Sequence, residues 1–435
     1  MSLDPVNIAK GAVGANDALP ATSGSMLISN APAIDDSIVI NTVYSVTSLA
    51  EVVALGIDAD YDVTNDVVLY KHFADFYKPY TGSAGPTVWF MLTNASTPAA
   101  ALDDATNIYA RKLVITADGN AWQLALAWNV ASGTSETITD GISADLRAAI
   151  PHAQTFADWA YSTGRPCHVI IEGRAASSTL TGLINLRAIT VSSVVLLAGN
   201  VTVCIGQDWD YAEARLNDPD APEGGTKTHK YAAVGKLLGT ISKADINQSV
   251  AEVAAFNLSD AAALDFVTAG LSNHLKVKDQ DAGIAALDGK GYVFGFYPPK
   301  VSGVRWNNDH TCIPITVDGQ GNINENKIYY SRTLMYCAMQ LKAYLVQLVK
   351  TRAVADATTG LLPRVIVKNL EKSADTDVFE KLAGAGLISN GKTTVDPTSD
   401  LVDPPNSLLV SFKVECTLII DNINAKVNLV KSIQI

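Results

Sequence analysis

Charged residues are scarce in this chain of 435 residues. They make up 17% of it, against 48% hydrophobic residues, and acidic side chains outnumber basic ones by 44 to 32. The net charge of −12, with no basic run longer than two residues, argues against nucleic-acid binding, which needs clustered lysines and arginines. A core-rich chain with so few charges suits a protein that covers much of its surface with other protein, and it suits a large enzyme almost as well.

Cysteine is also rare, and no pair has the CxxC spacing. The five cysteines lie far apart, which predicts reduced core residues and not a disulfide framework: Cys167, Cys204, Cys312, Cys337 and Cys416.

The opening residues, MSLDPVNIAKG, do not form a signal segment. The longest uncharged stretch, residues 188–207, could span a membrane by length. It is interrupted by polar residues and glycine, however, and its runs VVLLAG and VTVCIG predict two buried strands. We therefore expect assembly in the cytoplasm without direct membrane insertion.

Catalytic motifs are missing as well. The chain has no GxxxxGK[ST] phosphate loop, no GxSxG elbow and no HExxH. His310 and Cys312 would supply two zinc ligands where a structural site needs four. Cys167 and His168 are adjacent on a predicted strand and should point to opposite faces, which is unsuitable for a nucleophile and its base. We expect no catalytic site, metal or cofactor, and an α/β enzyme of unknown chemistry stays open as the alternative.

The N-terminal part begins with residues 1–25, which have little apolar periodicity and predict an extended arm. A short strand then leads to Ser48, with Glu51 at the spacing of a capping box and Gly56 as the stop of the helix. A second helix follows over NDVVLYKHFADFYKPY, and TVWFMLT predicts an apolar strand.

The middle of the chain alternates between helical and strand patterns. KLVIT, HVIIEG and VTVCIG are nearly continuous apolar runs, and the amphipathic stretch LRAAIPHAQTFADWAYS predicts a helix between two of them. Such an alternation predicts a parallel or mixed sheet that helices cover on both faces. The fold class is therefore α/β (α+β), with several subdomains.

The C-terminal part predicts a long helix over residues 331–355, a short one over residues 378–387 and then two strands. In SLLVSFKVECTLII the alternation places Val410, Phe412, Val414 and Cys416 on one face. The terminal AKVNLVKSIQI also alternates, with Val427, Leu429, Ile433 and Ile435 on one face. This last strand either folds back on residues 407–420 through the turn DNIN or pairs with a neighbouring molecule, and both pairings can coexist.

The order of these elements resembles that of the sheath proteins of contractile phage tails and related injection machines. SVTSLAEVVALGI is similar to their strand, Thr-Ser, helix and Leu-Gly passage, and YKHFADFY with TVWFMLT follows as their next helix and strand. Later, GVRWNND, the helix after NKIYYSRTLM, and VFEKLAGAGLI with SLLVSFKVECTLII follow the family's order. The sequence around residues 303–316 departs from the commoner pattern of the family.

The resemblance implies a domain organisation. Residues 1–25 would be an extended N-terminal arm, and residues 26–300 an outer α/β region, undivided or split into 26–110 and 111–300. Residues 301–435 would form a C-terminal sheath domain that ends in a strand arm, residues 425–435.

The resemblance also implies a function. The chain would be a structural, non-enzymatic subunit that polymerises into a helical tube of stacked, hexameric rings around an inner tail tube protein, and contracts to drive that tube through a target envelope. Baseplate and terminator proteins would be further partners, and the product a virion or phage-tail-like particle. Another tail or baseplate structural protein is a third possibility.

Three sets of residues would carry this assembly. The N-terminal arm, with Val6, Ile8 and Val13, and the C-terminal strand would each complete a sheet in a neighbouring subunit. Glu380 and Lys381, on the helix over residues 378–387, would face the inner tube.

Overall fold

A computed structural model describes residues 22–35, 37–80, 84–130, 136–218, 230–260, 265–352, 354, 356, 359–399, 401 and 407–419. The chain forms two compact units, Met1–Ala353 and Val354–Ile435. The division expected between residues 300 and 301 falls inside the first unit, where Arg305 and Trp306 pair with Phe296 and Gly295 in neighbouring strands.

The elements are numbered in chain order. The strands of the first unit are β1 (Ser25–Ser29), β2 (Val43–Val46), β3 (Val88–Leu92), β4 (Gln123–Ala127), β5 (Ile138–Thr139), β6 (Ile142–Ser143), β7 (His168–Glu172), β8 (Thr190–Val191), β9 (Val194–Val195), β10 (Val201–Cys204), β11 (Gly206–Asp208), β12 (Ala269–Leu271), β13 (Leu275–Lys276), β14 (Tyr292–Val293), β15 (Gly295–Phe296) and β16 (Arg305–Trp306). Its helices are α1 (Leu49–Ala54), α2 (Ala59–Thr64), α3 (Tyr70–Tyr77), α4 (Pro98–Leu102), α5 (Ala110–Ala117), α6 (Ala144–Ser162), α7 (Trp209–Leu216), α8 (Val234–Lys243), α9 (Asp281–Gly289) and α10 (Ile328–Val346). The second unit contains α11 (Arg364–Ala374), a π-helical turn (Asp375–Phe379), α12 (Glu380–Gly384), β17 (Ile388–Val395) and β18 (Val410–Cys416).

A seven-stranded mixed sheet forms the centre of the first unit, in the order β14-β10-β7-β4-β1-β3-β2. All neighbours in it are parallel except β2 and β3. Every residue of β1, β4, β7 and β10 is buried, so both faces of these strands are covered. Helix α6 packs on β7 and β10, and α8 packs on β4 and β7. The predicted fold class, a mixed sheet covered by helices, is confirmed.

The capping signals near the N-terminus act as predicted. The side chain of Ser48 accepts a hydrogen bond from the backbone N–H of Glu51 at the start of α1. The Glu51 carboxylate accepts from the backbone N–H of Thr47 at 2.6 Å, one residue before the cap. Gly56, at φ +88°, ends the helix in the left-handed conformation that glycine adopts most easily.

Two strand predictions in the middle of the chain are wrong. KLVIT lies within helix α5, where Leu113, Val114 and Ala117 are buried on one side. VVLLAG does not form a buried strand either, because only Val194 and Val195 are in a strand, and that strand is exposed. VTVCIG, in contrast, contains the buried strand β10, as predicted.

In the described part of the chain, no helix is both long and apolar enough to cross a membrane.

Candidate assembly sites

The second unit is built around the antiparallel pair β17 and β18. Their register places Val395 opposite Val410 and Gly391 opposite Val414, with an irregularity between Ile388 and Asn390. Along β18, the side chains at 410, 412, 414 and 416 are half-buried and those at 411, 413 and 415 are exposed. The alternation read from the sequence is therefore confirmed for this strand.

The helical segment α11–α12 covers β17 much more completely than β18. Ile388, Thr393 and Val395 of β17 are almost fully buried beneath it. Gly391 lies so close to Phe379 that any side chain at position 391 would collide with the ring. Since the apolar residues of β18 are only half-buried, the sheet extends beyond its helical cover on the β18 side.

Two carboxylates fix β17 to the helical segment. Asp375 Oδ1 accepts a hydrogen bond from Thr393 N at 2.6 Å, and Glu371 Oε1 accepts from Val395 N at 3.0 Å. These bonds occupy backbone groups of β17, so β18 is the side at which this sheet can grow.

The backbone of β18 offers hydrogen-bonding groups at its outer edge. Asp396 N donates to Leu409 O at 2.8 Å just beyond the paired residues. Because bonded and non-bonded pairs alternate in an antiparallel ladder, the odd-numbered residues of β18 bond to β17. The N–H groups of Phe412 and Val414 therefore point to the opposite edge. Among the described residues, β17 is the one strand that pairs with β18.

The N-terminal arm joins the body at the middle of the large sheet. Gln123 Nε2 lies 3.0 Å from Gly24 O and 2.9 Å from Ser25 Oγ, and Ser242 Oγ donates to Ser23 O. A side chain at Gly24 would overlap the carbonyl oxygen of Asn120. Residues 23–25, the last three residues of the predicted arm, are thus held by the body of the first unit.

Glu380 and Lys381 are both exposed at the start of α12. Lys381 Nζ lies 3.9 Å from Asp377 Oδ1, one helical turn earlier, in a solvent-exposed pair. The remaining predicted contact residues lie outside the described residues: Val6, Ile8, Val13, Val427, Leu429, Ile433 and Ile435.

Cys167 and His168 are both fully buried. Burial raises the pKa of the Cys167 thiol and lowers the pKa of His168 to about 3, so both side chains are neutral at pH 7. His168 Nε2 lies 2.9 Å from Thr202 Oγ1 on the neighbouring strand, and the Cys167 thiol bonds to a backbone carbonyl oxygen. Both are core residues and do not form a nucleophile–base pair.

His310 and Cys312 also have structural roles. His310 Nε2 lies 2.9 Å from Asp288 Oδ1, while its Nδ1 accepts from Arg187 at 2.7 Å. Cys312 is fully buried, and burial raises the pKa of its thiol to about 12. Across the described ranges, no three His, Cys, Asp or Glu side chains form a group that could hold a metal ion.

A buried ionic network lies beside the sheet and was not predicted. Lys71 Nζ lies 2.9 Å from Asp75 Oδ1 and 2.7 Å from Asp208 Oδ2, and Lys236 Nζ lies 3.1 Å from Asp75 Oδ1. Burial alone would raise the pKa of Asp75, but Lys236 and Lys71 more than offset it and hold that pKa below its usual value. The network joins α3, α8 and β11. Lys71 and Asp75 are one helical turn apart, but Asp208 and Lys236 are distant in sequence, so no local pattern could have revealed the whole network.

Glu172 is another buried carboxylate, at the carboxyl end of β7. Its oxygens accept from Trp128 N at 2.8 Å and from Ala232 N at 3.0 Å. Burial raises its pKa to about 7, although Arg174 and these two N–H groups act in the opposite direction. Its role is to fasten the loops after β4 and before α8 to the sheet.

The fold of the chain is similar to that of chains in solved structures of contractile particles. A chain in the cryo-EM structure of the helical sheath of the anti-feeding prophage, in its contracted state, superposes with a TM-score of 0.57. The alignment covers 98% of this chain and 99% of that one, at 12% sequence identity. The chain has the sheath-protein fold.

A second match agrees with this assignment of the fold. A chain in the six-fold symmetrised baseplate structure of the same particle gives a TM-score of 0.51, with 96% of this chain and 98% of that chain covered, at 12% identity. No protein-family model and no curated protein matches the sequence. The sheath resemblance predicted from the sequence is confirmed at the level of the fold.

Proposed function

We propose that this chain is the structural subunit of a contractile sheath. It polymerises into a helical tube around an inner tail tube and contracts to drive that tube through a target envelope. The observation that carries the proposal is the sheath fold, which extends over 98% of the chain. Head-to-tail contacts that do not close on themselves generate such helical polymers.

The partners follow from this assignment. The subunits form stacked rings, with six per ring, and contact an inner tube protein, a baseplate and a terminator protein. Assembly takes place in the cytoplasm, and the product is a virion or phage-tail-like particle. Contraction needs no enzymatic step, since many subunits change together between two packed arrangements.

Strand addition at β18 links the subunits. The half-buried apolar face of β18 and the outward N–H groups of Phe412 and Val414 support this proposal. An added strand would extend the sheet and cover the exposed apolar side chains at its margin. The strand arm over residues 425–435 and the N-terminal arm, residues 1–25, are the segments that would pair there, from the same subunit and from its neighbours.

The face that meets the inner tube would include Glu380 and Lys381. Both are exposed on a helix that is fixed to a sheet, which makes them suitable for a polar contact with another protein.

A baseplate component with a sheath fold is the second candidate, and the match to the anti-feeding prophage baseplate structure favours it. The two candidates differ in a simple property. A sheath subunit extends into long tubes, whereas a baseplate component forms closed rings of limited size.

Negative-stain electron microscopy of the purified full chain, beside a variant that ends at Ala425, tests the proposal. Tubes from the full chain that are lost on truncation support both the sheath function and the terminal strand as a link. Tubes from both proteins would support the sheath function but contradict the role of the terminal strand as a link between subunits. Closed rings alone would favour the baseplate candidate.

A further inference from the structure

The hairpin of β8 and β9 stands apart from the large sheet. Its strands pair Thr190 with Val195 and Val191 with Val194. The two residues between them, Ser192 and Ser193, have φ values of +50° and +67°. Two consecutive positive φ values are typical of a type I′ turn, which forms the tightest hairpins. The result is a short two-stranded sheet of its own.

A second loop lies against the base of this hairpin. Ala198 and Cys312 form an antiparallel bridge, and a side chain at Gly199 would touch Ile313 and Glu325. The second loop turns back on itself, with Val317 bridged to Ile323 and Asp318 N donating to Asn322 O at 2.9 Å. Both loops therefore belong to one region of the first unit.

These loops expose an unusual set of aliphatic side chains. Val194 is 70% exposed, Leu197 is 63% exposed and Val317 is 62% exposed. We use the term hairpin patch for the seven exposed aliphatic residues of the two loops: Val191, Val194, Val195, Leu197, Ile315, Val317 and Ile323. Their exposed area, on the order of a few hundred Å², is comparable to the largest apolar patches that monomeric proteins tolerate.

The hairpin patch contains almost no charge. Residues 188–207 include no Asp, Glu, Lys, Arg or His. Residues 312–325 include two carboxylates: Asp318, which accepts hydrogen bonds from Gln320 N and Asn322 N within its own turn, and the half-buried Glu325 beside Gly199. Exposed strands are normally protected from self-association by charges, and this hairpin has none.

We infer that the hairpin patch is a contact between the bodies of neighbouring copies of this chain, in addition to any strand exchange. This inference rests on the proposed self-assembly, and it names a surface through which the copies associate. A nucleic acid or an anionic membrane would need lysines or arginines here. Two copies with a net charge of −12 repel one another, so a surface almost free of carboxylates is where they approach at the least electrostatic cost.

The size of the patch fits a repeated contact and not an isolated dimer. It is smaller than the ~800 Å² that each partner buries in a typical stable complex. It also lacks the Trp, Tyr and Arg side chains that dominate tight interfaces. A weak contact of this kind becomes effective when many copies are already tethered together, as in a helical polymer.

The test compares three full-length proteins: the wild type, the double variant Val194→Glu/Leu197→Glu, and the matched control Val39→Glu/Val267→Glu. Val39 and Val267 are 64% and 56% exposed in the same unit but outside the patch, so the control has the same change in charge. Sedimentation velocity over a range of concentrations and negative-stain electron microscopy measure self-association, and circular dichroism confirms that all three are folded. We expect the patch variant to need at least a tenfold higher concentration to associate, whereas the control behaves as the wild type.

The outcomes separate this inference from the function. Tubes from all three proteins would overturn the patch and leave the sheath function standing. Patch-dependent association that yields no tubes would support the patch and count against the sheath. Equal loss of self-association in both variants would contradict the proposed role of the patch, because net charge alone would then explain the effect. A wild type that stays monomeric at every concentration, also when an inner tube is supplied, would overturn both.

Discussion

The rings of Phe379 and Phe412 stack with their centroids 5.7 Å apart and their planes 25° from parallel. This contact joins the helical segment of the second unit to β18, the strand that its helices cover least. Phe379 is almost fully buried, whereas Phe412 is only half-buried. The pair thus lies at the boundary of the helical cover. Beyond it is the edge of β18, to which we propose that another strand is added.

Replacement of Phe379 with alanine should destabilise the second unit by about 3–5 kcal/mol, the usual cost of removing a buried aromatic ring. Phe379→Leu keeps most of the volume and should cost less than about 1.5 kcal/mol. Hydrogen exchange of the β17 and β18 amides measures the effect locally. Unchanged protection in Phe379→Ala would show that this ring does not hold the hairpin.

Val414→Pro should impair polymerisation while the subunit stays folded. Proline removes the outward N–H of position 414, and edge strands tolerate it because no bond to β17 is lost there. The loss of a hydrogen bond worth about 1–1.5 kcal/mol per link should raise the concentration needed for assembly about tenfold. Val414→Thr, which keeps the N–H and the branched shape, is the control. Equal assembly of both variants, judged by sedimentation, would contradict strand addition at this edge.

Gln123→Met should loosen the base of the N-terminal arm. The buried amide donates to Gly24 and Ser25, and its loss leaves these acceptors without their partner, at a cost of roughly 1–3 kcal/mol. Exchange of the amides of Ser25 and Trp122, which bond to Thr87 O and Gly24 O, should become faster. Gln320→Met, at an exposed turn, should leave both amides as protected as in the wild type. If Gln123→Met also leaves them protected, the amide does not hold the arm.

Glu172 should make the first unit less stable as the pH rises from about 4.5 to 7. Its pKa is raised from an ordinary value of 4.5 to about 7, so the folded state binds the proton more tightly than the unfolded state does. The stabilisation is fully present below pH 4.5 and is lost as the pH passes through 7, a change of about 3 kcal/mol from one titrating group.

Urea unfolding followed by tryptophan fluorescence measures this dependence, since all six tryptophans lie in the first unit. Glu172→Gln should flatten the pH profile between 4.5 and 7, whatever its effect on absolute stability. Glu380→Gln, at an exposed carboxylate, should leave the profile unchanged. If the free energy of unfolding of Glu172→Gln depends on pH as steeply as that of the wild type, Glu172 is not the group responsible.

Local signals in the sequence predicted local structure well. The Ser48 cap and the Gly56 stop of α1 depend on residues a few positions apart, and the alternation of β18 reports which side chains face the helices. These features are encoded within single elements. The order of elements was in turn enough to suggest the sheath fold.

Features that depend on distant residues could not be predicted in this way. KLVIT has the β-branched residues of a strand, yet burial of Leu113 and Val114 against the sheet makes it helical. The apolar run at Val194 predicts a core strand, because nothing in the sequence shows that the Ser192–Ser193 turn carries it out to solvent. The pairing of Lys71 with Asp208 arises only when α3 and β11 meet in the fold.

Cryo-electron microscopy of polymers formed by the purified full chain tests the central claim most directly. We predict hollow tubes with helical symmetry, in which each subunit shows this fold and an added strand lies along β18. If the chain yields only discrete particles at every concentration, also when an inner tube is supplied, it is not a sheath subunit.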